Sequence, residues 1–262
     1  MTETMTGRVT LPSVRQIFVP DPGHVLFDVD LAGADAQVVA WEADDDDLKR
    51  SFRSGVKIHV KNATDIYGDA YTLASGDRKA ISTPKGKMYD ACKRRIHATN
   101  YGASARTLAL NPDIGGSVRD NERFQQNWFR LHPGIRAWHR RVETQLLCNR
   151  TIHNRFGYRI IYFDRPEGLL PQALAWVPQS TVAEVCFRGA LQLEEAFPFV
   201  QLLLQVHDSL VFQIPKSQNG VSTIQRMKEA LLVTIPYDDP LVIRWSISSS
   251  EKSWGECEEL SI

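Results

Sequence analysis

The chain has 262 residues, with 31 Lys+Arg against 31 Asp+Glu, 43% hydrophobic residues and four cysteines. That length and apolar fraction support one large globular domain or two small ones with a core to bury, and the composition excludes disorder, collagen and coiled coil. Taken alone, the zero net charge argues against a nucleic-acid partner.

The amino-terminal MTETMTGRVT lacks the apolar segment of a signal peptide. After the turn signal PDPG, the run Val25-Leu26-Phe27-Asp28-Val29-Asp30-Leu31 predicts a strand with Asp28 and Asp30 on one face. Residues 43–170 read mostly as helices. The acids at 44–47 cap a helix running to Phe52, with Gly55 ending it. Thr83 as cap and Pro84 as first residue start a helix to about Tyr101, with Gly102 just past its end. Ile135, Trp138, Val142 and Leu146 follow helical spacing after Pro133-Gly134. A helix from Gln179 to about Phe197 then precedes a strand pair, 202–206 and 210–214, a helix near 224–232 and a final strand, LVIRWSIS. Strands at both ends around a helical insertion predict an α+β body carrying a helical lobe.

The longest apolar stretch, residues 199–212, is interrupted by Gln201, Gln205, His207, Asp208 and Ser209, so no membrane partner is expected. Cys92, Cys148, Cys186 and Cys257 form no CxxC pair, which points to free thiols in a reducing cytoplasm.

The charge is not evenly spread. Residues 85–106 hold six bases against Asp90 alone, and residues 130–159 hold seven arginines against Glu143 alone. Interleaved with Trp128, Phe129, Trp138, Phe156 and Tyr158, these segments read either as a phosphate-tracking surface or as solvated helix faces.

Two places carry candidate chemistry. A carboxylate in an apolar strand is costly unless it is paired, hydrogen-bonded or bound to a cation. The second strand pair flanks His207-Asp208-Ser209, so a tight turn there displays His207 and Asp208, although favoured hairpin turns use Asn-Gly or Gly-X. Asp30 and Asp208 together suit two Mg²⁺ ions for two-metal phosphoryl transfer; on spacing alone, two surface turn acids remain an open reading. On the 84–101 helix, Tyr89, Lys93, His97 and Tyr101 recur every four residues, beside an apolar side of Met88, Cys92 and Ile96. Such a stripe suits a nucleotide, with Lys93 for triphosphate, His97 for sugar or base and Tyr101 for stacking. It also suits an ordinary amphipathic rim.

In this order, these segments resemble the polymerase core of the DNA polymerase I family (family A), over roughly residues 11–258. Asp30-Leu-Ala-Gly-Ala-Asp35-Ala-Gln is similar to the family's first motif, in which an Asp binds metal and an acid five positions on excludes ribonucleotides. Lys93 through Tyr101-Gly102 resembles the second, Lys-x7-Tyr-Gly, and Gln205-Val-His207-Asp208 the third. Supporting matches are Ile58-His59, Phe156-Gly157 and Pro178-Gln179. The form ending in Asn-Tyr-Gly resembles phage-type members.

The resemblance implies a palm with an antiparallel sheet, formed by residues 1–42 together with 172–262, an inserted helical fingers subdomain at 43–171, and no thumb. It implies a DNA-directed DNA polymerase working on primer-template DNA and dNTPs in a bacterial or phage-infected host cytoplasm. Asp30 and Asp208 would hold Mg²⁺, and Lys93 would neutralise the triphosphate with His59 assisting. His97 would meet the sugar, Tyr101 the template base, and Asp35 would occupy the space of a 2′-hydroxyl. Gln179, His207, Arg136, Arg140 and Arg159 would contact DNA.

Tyr89, His97, Ser209 and Gly33 depart from the family's usual residues. The chain begins just before the first motif, so a separate thumb or exonuclease polypeptide is expected as partner. The alternative is a catalytically silent nucleic-acid-binding polymerase fragment.

Overall fold

A computed structural model describes the backbone of residues 2–4 and 7–9, and residues 13–166 and 168–261 in full. Leu11, where the resemblance begins, lies outside the described residues, as do several residues of the amino-terminal decapeptide. In chain order come β1 (Thr2–Thr4), β2 (Gly7–Val9), β3 (His24–Leu31), α1 (Ala34–Glu42), α2 (Asp46–Arg53), α3 (Ile58–Tyr67), α4 (Asp69–Thr72) and α5 (Pro84–Asn100). Then follow α6 (Ala105–Leu110), α7 (Val118–Leu131), α8 (Pro133–Asn149), β4 (Thr151–His153), β5 (Arg159–Ile161) and α9 (Leu170–Ala196). The chain continues with β6 (Gln201–Val206), β7 (Ser209–Pro215), α10 (Val221–Ala230), β8 (Thr234–Ile235), β9 (Leu241–Val242), β10 (Trp245–Ser250) and β11 (Glu258–Glu259). The expected combination of an antiparallel sheet and an inserted run of helices is therefore present.

The chain divides into two compact units, one of Met1–Ala34 with Val182–Ile262, the other Asp35–Thr181. The divisions fall at 34/35 and 181/182, where the sequence suggested 42/43 and 171/172. Asp30 therefore belongs to the first unit and Asp35 to the second.

The first unit is built on a five-stranded sheet of order β11-β10-β3-β7-β6, antiparallel throughout. Its inner strands follow from the alternation in β3. Val25, Phe27, Val29 and Leu31 are each at most 1% exposed, while Asp28 and Asp30 take the opposite face. Phe27 lies opposite Phe212 in register, with rings stacked at 5.3 Å. Burying each such ring contributes about 1.5–3 kcal/mol.

The expected final strand, LVIRWSIS, is two strands. β9 pairs with β8 and β10 with β3, and the break falls at Ile243-Arg244. The Arg244 carbonyl there accepts from the Ala32 N–H at 3.0 Å, so local strand propensity yields to pairing with two different partners.

In the second unit, Asp45 caps α2 by accepting from the Leu48 N–H at 2.9 Å. Thr83 caps α5 through the Gly86 N–H at 3.0 Å, with Pro84 in the first turn. Gly86 is required by close approach, since a Cβ there would stand 2.0 Å from the Ala80 carbonyl oxygen. Ser117 and Asp120 form a reciprocal capping box on α7. Ile135, Trp138, Val142 and Leu146 form the buried stripe of α8.

Two features differ from expectation. The predominantly helical region contains the β4–β5 hairpin, whose turn is held by Asn154 Oδ1 accepting from the N–H groups of Phe156 and Tyr158. Helix α9 starts at Leu170, nine residues before Gln179, and runs through Pro178. Proline removes one helical donor, yet buried Ala173, Leu174 and Val177 anchor the preceding turns. The Thr181 hydroxyl also donates to the Val177 carbonyl at 2.7 Å.

Candidate functional site

In the first unit, period two on β3 sets Asp28 and Asp30 side by side, and the antiparallel register places Asp30 opposite Ser209, next to the β6–β7 turn. The turn is His207-Asp208, and His207 has φ 55°. This is the left-handed region, costly for a residue with a Cβ and normally given to glycine or asparagine. The Leu31 N–H donates to the Asp208 carbonyl at 3.0 Å, tying the turn to the end of β3. The Ser209 hydroxyl donates to the Val206 carbonyl at 2.9 Å, so this departure from the family pattern stabilises the turn.

The result is a cluster of carboxylates. The Asp30 pKa is pushed up to about 6 by burial, then by the charges of Asp208 and Asp28, against a lowering by Arg15. Beneath them the Cys186 thiol is pushed up to about 12 by burial and by the same two acids, Asp208 and Asp30. Asp28 is anchored differently. Its Oδ2 accepts from Trp254 Nε1 at 2.7 Å and lies 3.7 Å from the Arg15 guanidinium, which stacks on the Trp254 ring at 4.3 Å. Asp28 Oδ1 is buried without a hydrogen-bond partner. Sequence reasoning placed Asp28 on this face but gave it no role, because its partner is far away in the chain.

The donor set fits a hard divalent cation. Asp30 and Asp208 would offer oxygen donors where three acids, Asp28 included, face the single opposing charge of Arg15 that acts on Asp30. Among the described residues, no group of three His, Cys, Asp or Glu side chains is gathered to hold a metal. Mg²⁺ is commonly bound by one or two carboxylates, with water and substrate phosphates completing its shell.

In the second unit, α5 carries the polar stripe as its spacing predicts, with Cys92 and Ile96 buried on the adjoining side. Lys93 is exposed, and among the described residues no carboxylate is paired with it. His59, at the start of α3, packs edge-on to Tyr89 with ring centroids 6.3 Å apart. Its pKa falls to about 4 through burial, then the charges of Lys93 and His97, so it is a neutral imidazole at physiological pH. His59 Nδ1 is buried without a partner. His97 and Tyr101 meet edge to face at 4.5 Å. The Tyr101 hydroxyl donates to Asp35 Oδ2 at 2.8 Å, and burial, with the Asp35 charge and this bond, raises the Tyr101 pKa. The fold thus gathers His59, Tyr89, Lys93 and His97, and joins Tyr101 to Asp35.

The candidate DNA contacts stand apart. Arg136 and Arg140 are exposed on α8, Arg159 on β5, Gln179 on α9, and His207 at the turn of the first unit. Arg136 lies over the Phe129 ring at 4.6 Å. Several other bases of the two basic segments have internal roles. Arg155 pairs with Glu42, Arg94 with Asp90 and Asp113, and Arg150 donates to the carbonyls of Phe163 and Asp164. Sequence reasoning also missed the buried network in which Trp128 Nε1 donates to Asn100 Oδ1 at 2.8 Å and His139 Nε2 meets the Asn100 carbonyl at 2.8 Å. It fixes the end of α5, directly before Tyr101.

The family model described as DNA polymerase family A matches residues 4–256. The chain is 26% identical over 253 residues to the DNA polymerase of Mycobacterium phage D29, covering 94% of this chain and 38% of that protein. It is 26% identical over 258 residues to the thermostable DNA polymerase I of Thermus filiformis, covering 94% and 29%. The POL domain of Pol1 from M. smegmatis, solved in complex with DNA primer-template and dNTP, superposes with TM-score 0.78 at 20% identity, over 93% of this chain and 42% of that one. The chain spans less than two-fifths of the length of these curated relatives. Among the described residues, no helix is long and apolar enough to cross a membrane.

Proposed function

The chain belongs to DNA polymerase family A, and from that premise we propose that it is the core of a template-directed DNA polymerase, extending a primer 3′ end with deoxynucleotides. The observation that carries this reading is the Asp30–Asp208 pair, two carboxylates presented by adjoining strands and a strained turn, and close enough to raise the Asp30 pKa. Asp30 and Asp208 would hold two Mg²⁺ ions, which when bound activate the primer hydroxyl and stabilise charge on the transferring phosphoryl and the leaving pyrophosphate.

The remaining roles belong to side chains of the chain itself. Lys93 presents an unpaired ammonium to the triphosphate, and neutral His59 offers a ring nitrogen without adding charge repulsion toward Lys93. His97 meets the sugar. Asp35, held by the Tyr101 hydroxyl, occupies the volume of a ribose 2′-hydroxyl and so selects deoxynucleotides. Tyr101 meets the template base with its ring while its hydroxyl is engaged. His207 contacts the primer terminus and Gln179 the duplex, and Arg136, Arg140 and Arg159 follow the backbone with salt-dependent affinity. A separate thumb or exonuclease polypeptide would add grip on the duplex.

Primer extension with Mg²⁺ and dNTPs at low salt, comparing wild type with Asp208→Ala, tests the proposal. Extension by wild type alone or with a candidate partner chain, and none by the variant, is expected. No extension at high enzyme concentration with the partner present would favour a catalytically silent nucleic-acid-binding fragment. Extension surviving in Asp208→Ala would remove the metal assignment.

A further inference from the structure

A second feature of the helical unit lies outside the residues used above. Between α3 and α7, beside α5, is a cleft of about 540 Å³ lined by Tyr67, Arg95, Asp120, Arg123, Phe124 and Arg130, among others. That volume is in the range of small-molecule sites, about 300–1,000 Å³. Its floor is aromatic, with the Tyr67 and Phe124 rings 6.4 Å apart and tilted by 50°.

The charge of the cleft is one-sided. Arg95 is fixed by neutral acceptors only: Nε donates to Asn121 Oδ1 and Nη1 to the Tyr67 hydroxyl, both at 3.0 Å, and Nη2 to the carbonyls of Ile114 and Gly115 at 3.3 Å. Its guanidinium also lies 5.6 Å over the Phe124 ring. None of these partners cancels its charge. Asp120 is the sole acid among the lining residues; its carboxylate caps α7, accepting from the Ser117 N–H at 3.1 Å and hydroxyl at 2.6 Å, and its charge also acts on Arg123 and Arg95, so one carboxylate stands against three guanidinium groups. Arg123 and Arg130, seven residues apart and so on one side of α7, are exposed at the rim. Arg130 is steadied by Asn127 Oδ1 at 2.8 Å.

An excess of guanidinium over carboxylate groups around an aromatic-floored cleft is complementary to a ligand with a flat apolar ring and a phosphate. An exposed solvated helix face would need neither the cleft nor the buried network that positions Arg95. We propose that this cleft binds a nucleotide unit, base against Tyr67 and Phe124 and phosphate between Arg123 and Arg130, either within a single strand or as a free nucleotide. The site goes beyond the polymerase reading and uses none of its residues.

The test measures binding to the full chain in EDTA, which removes the metal needed at the carboxylate pair. The probes are a labelled ten-residue oligothymidylate, ADP and inorganic triphosphate, on wild type and on Arg123→Ser/Arg130→Ser. Both positions are exposed, so the variant keeps its fold, which circular dichroism checks, as does extension, with a candidate partner chain present, of a primer on a template with one unpaired nucleotide. The double variant should bind the oligonucleotide at least tenfold more weakly, with a flatter salt dependence, and extend that primer as wild type does. A matching loss for ADP identifies a free-nucleotide site, and loss for the oligonucleotide alone a strand site. Unchanged binding of both in the variant overturns the proposal, as does inorganic triphosphate binding as tightly as ADP. Absence of extension by wild type with the candidate partner chain present would overturn the polymerase reading while leaving these binding results to decide the cleft.

Discussion

His207 is where stability and the proposed chemistry pull apart. A residue with a Cβ at φ 55° costs about 1 kcal/mol relative to glycine. His207→Gly should therefore raise the stability read from urea unfolding by about that amount, while slowing primer extension through the lost imidazole. A variant that is no more stable, or that extends as fast, would separate the turn from function. Asp35 makes the companion case in the helical unit. Its bond from Tyr101 holds a carboxylate where the reading needs a sugar gate, so Asp35→Ala should raise ribonucleotide incorporation relative to deoxynucleotide, and unchanged sugar selectivity counts against the role. Asp30 and Asp208 were legible because strand alternation and turn chemistry act over a few residues. The anchoring of Asp28 by Trp254 was not, since the two are 226 positions apart and nothing local to either announces the other.

Among elements, α5 was legible almost to the residue because its start and stop are local chemistry: a threonine cap, a proline in the first turn and Gly102 after the last. Thr83→Ala should cost about 1 kcal/mol, the usual worth of such a cap. Gly86→Ala should cost more, because the clashing neighbour is backbone, and thermal unfolding of the pair gives the order directly. Helix α9 was misread at its start for the converse reason. Pro178 is a breaker by local rules, and only the burial of the turns before it keeps the helix continuous.

Helix α2 gives a pH dependence. Burial acts to raise the Asp45 pKa, but the bonds from His132 and the Leu48 N–H outweigh it, so the folded value is lowered. A lowered folded pKa means stability that is fully present above the ordinary carboxylate value of 3.8 and is lost as pH falls through the folded one. Asp45→Ala should accordingly cost about 1–2 kcal/mol at pH 7, and the gap from wild type should close below about pH 4. A gap of constant size in acid would deny the carboxylate its role.

At the scale of the molecule, zero net charge hid two basic segments, and the fold shows how they are used. Arg94, Arg95, Arg150 and Arg155 bond to carboxylates, amides or carbonyls of this chain, whereas among the described residues exposed Arg136, Arg140 and Arg159 have no such side-chain bond. Charge counts cannot make that separation, because partners such as Glu42 and Asn121 are set by packing rather than by spacing. The central claim is that Asp30 and Asp208 act together in nucleotide addition. Its most direct measurement is single-turnover incorporation of one dNTP into a primer by enzyme in excess, with Mg²⁺, for wild type, Asp30→Asn and Asp208→Asn, alongside primer-template binding. Each variant should bind DNA as wild type does and add the nucleotide at least about a hundredfold more slowly, the usual cost of removing a group that stabilises transition-state charge. Incorporation at the wild-type rate in either variant would contradict the account.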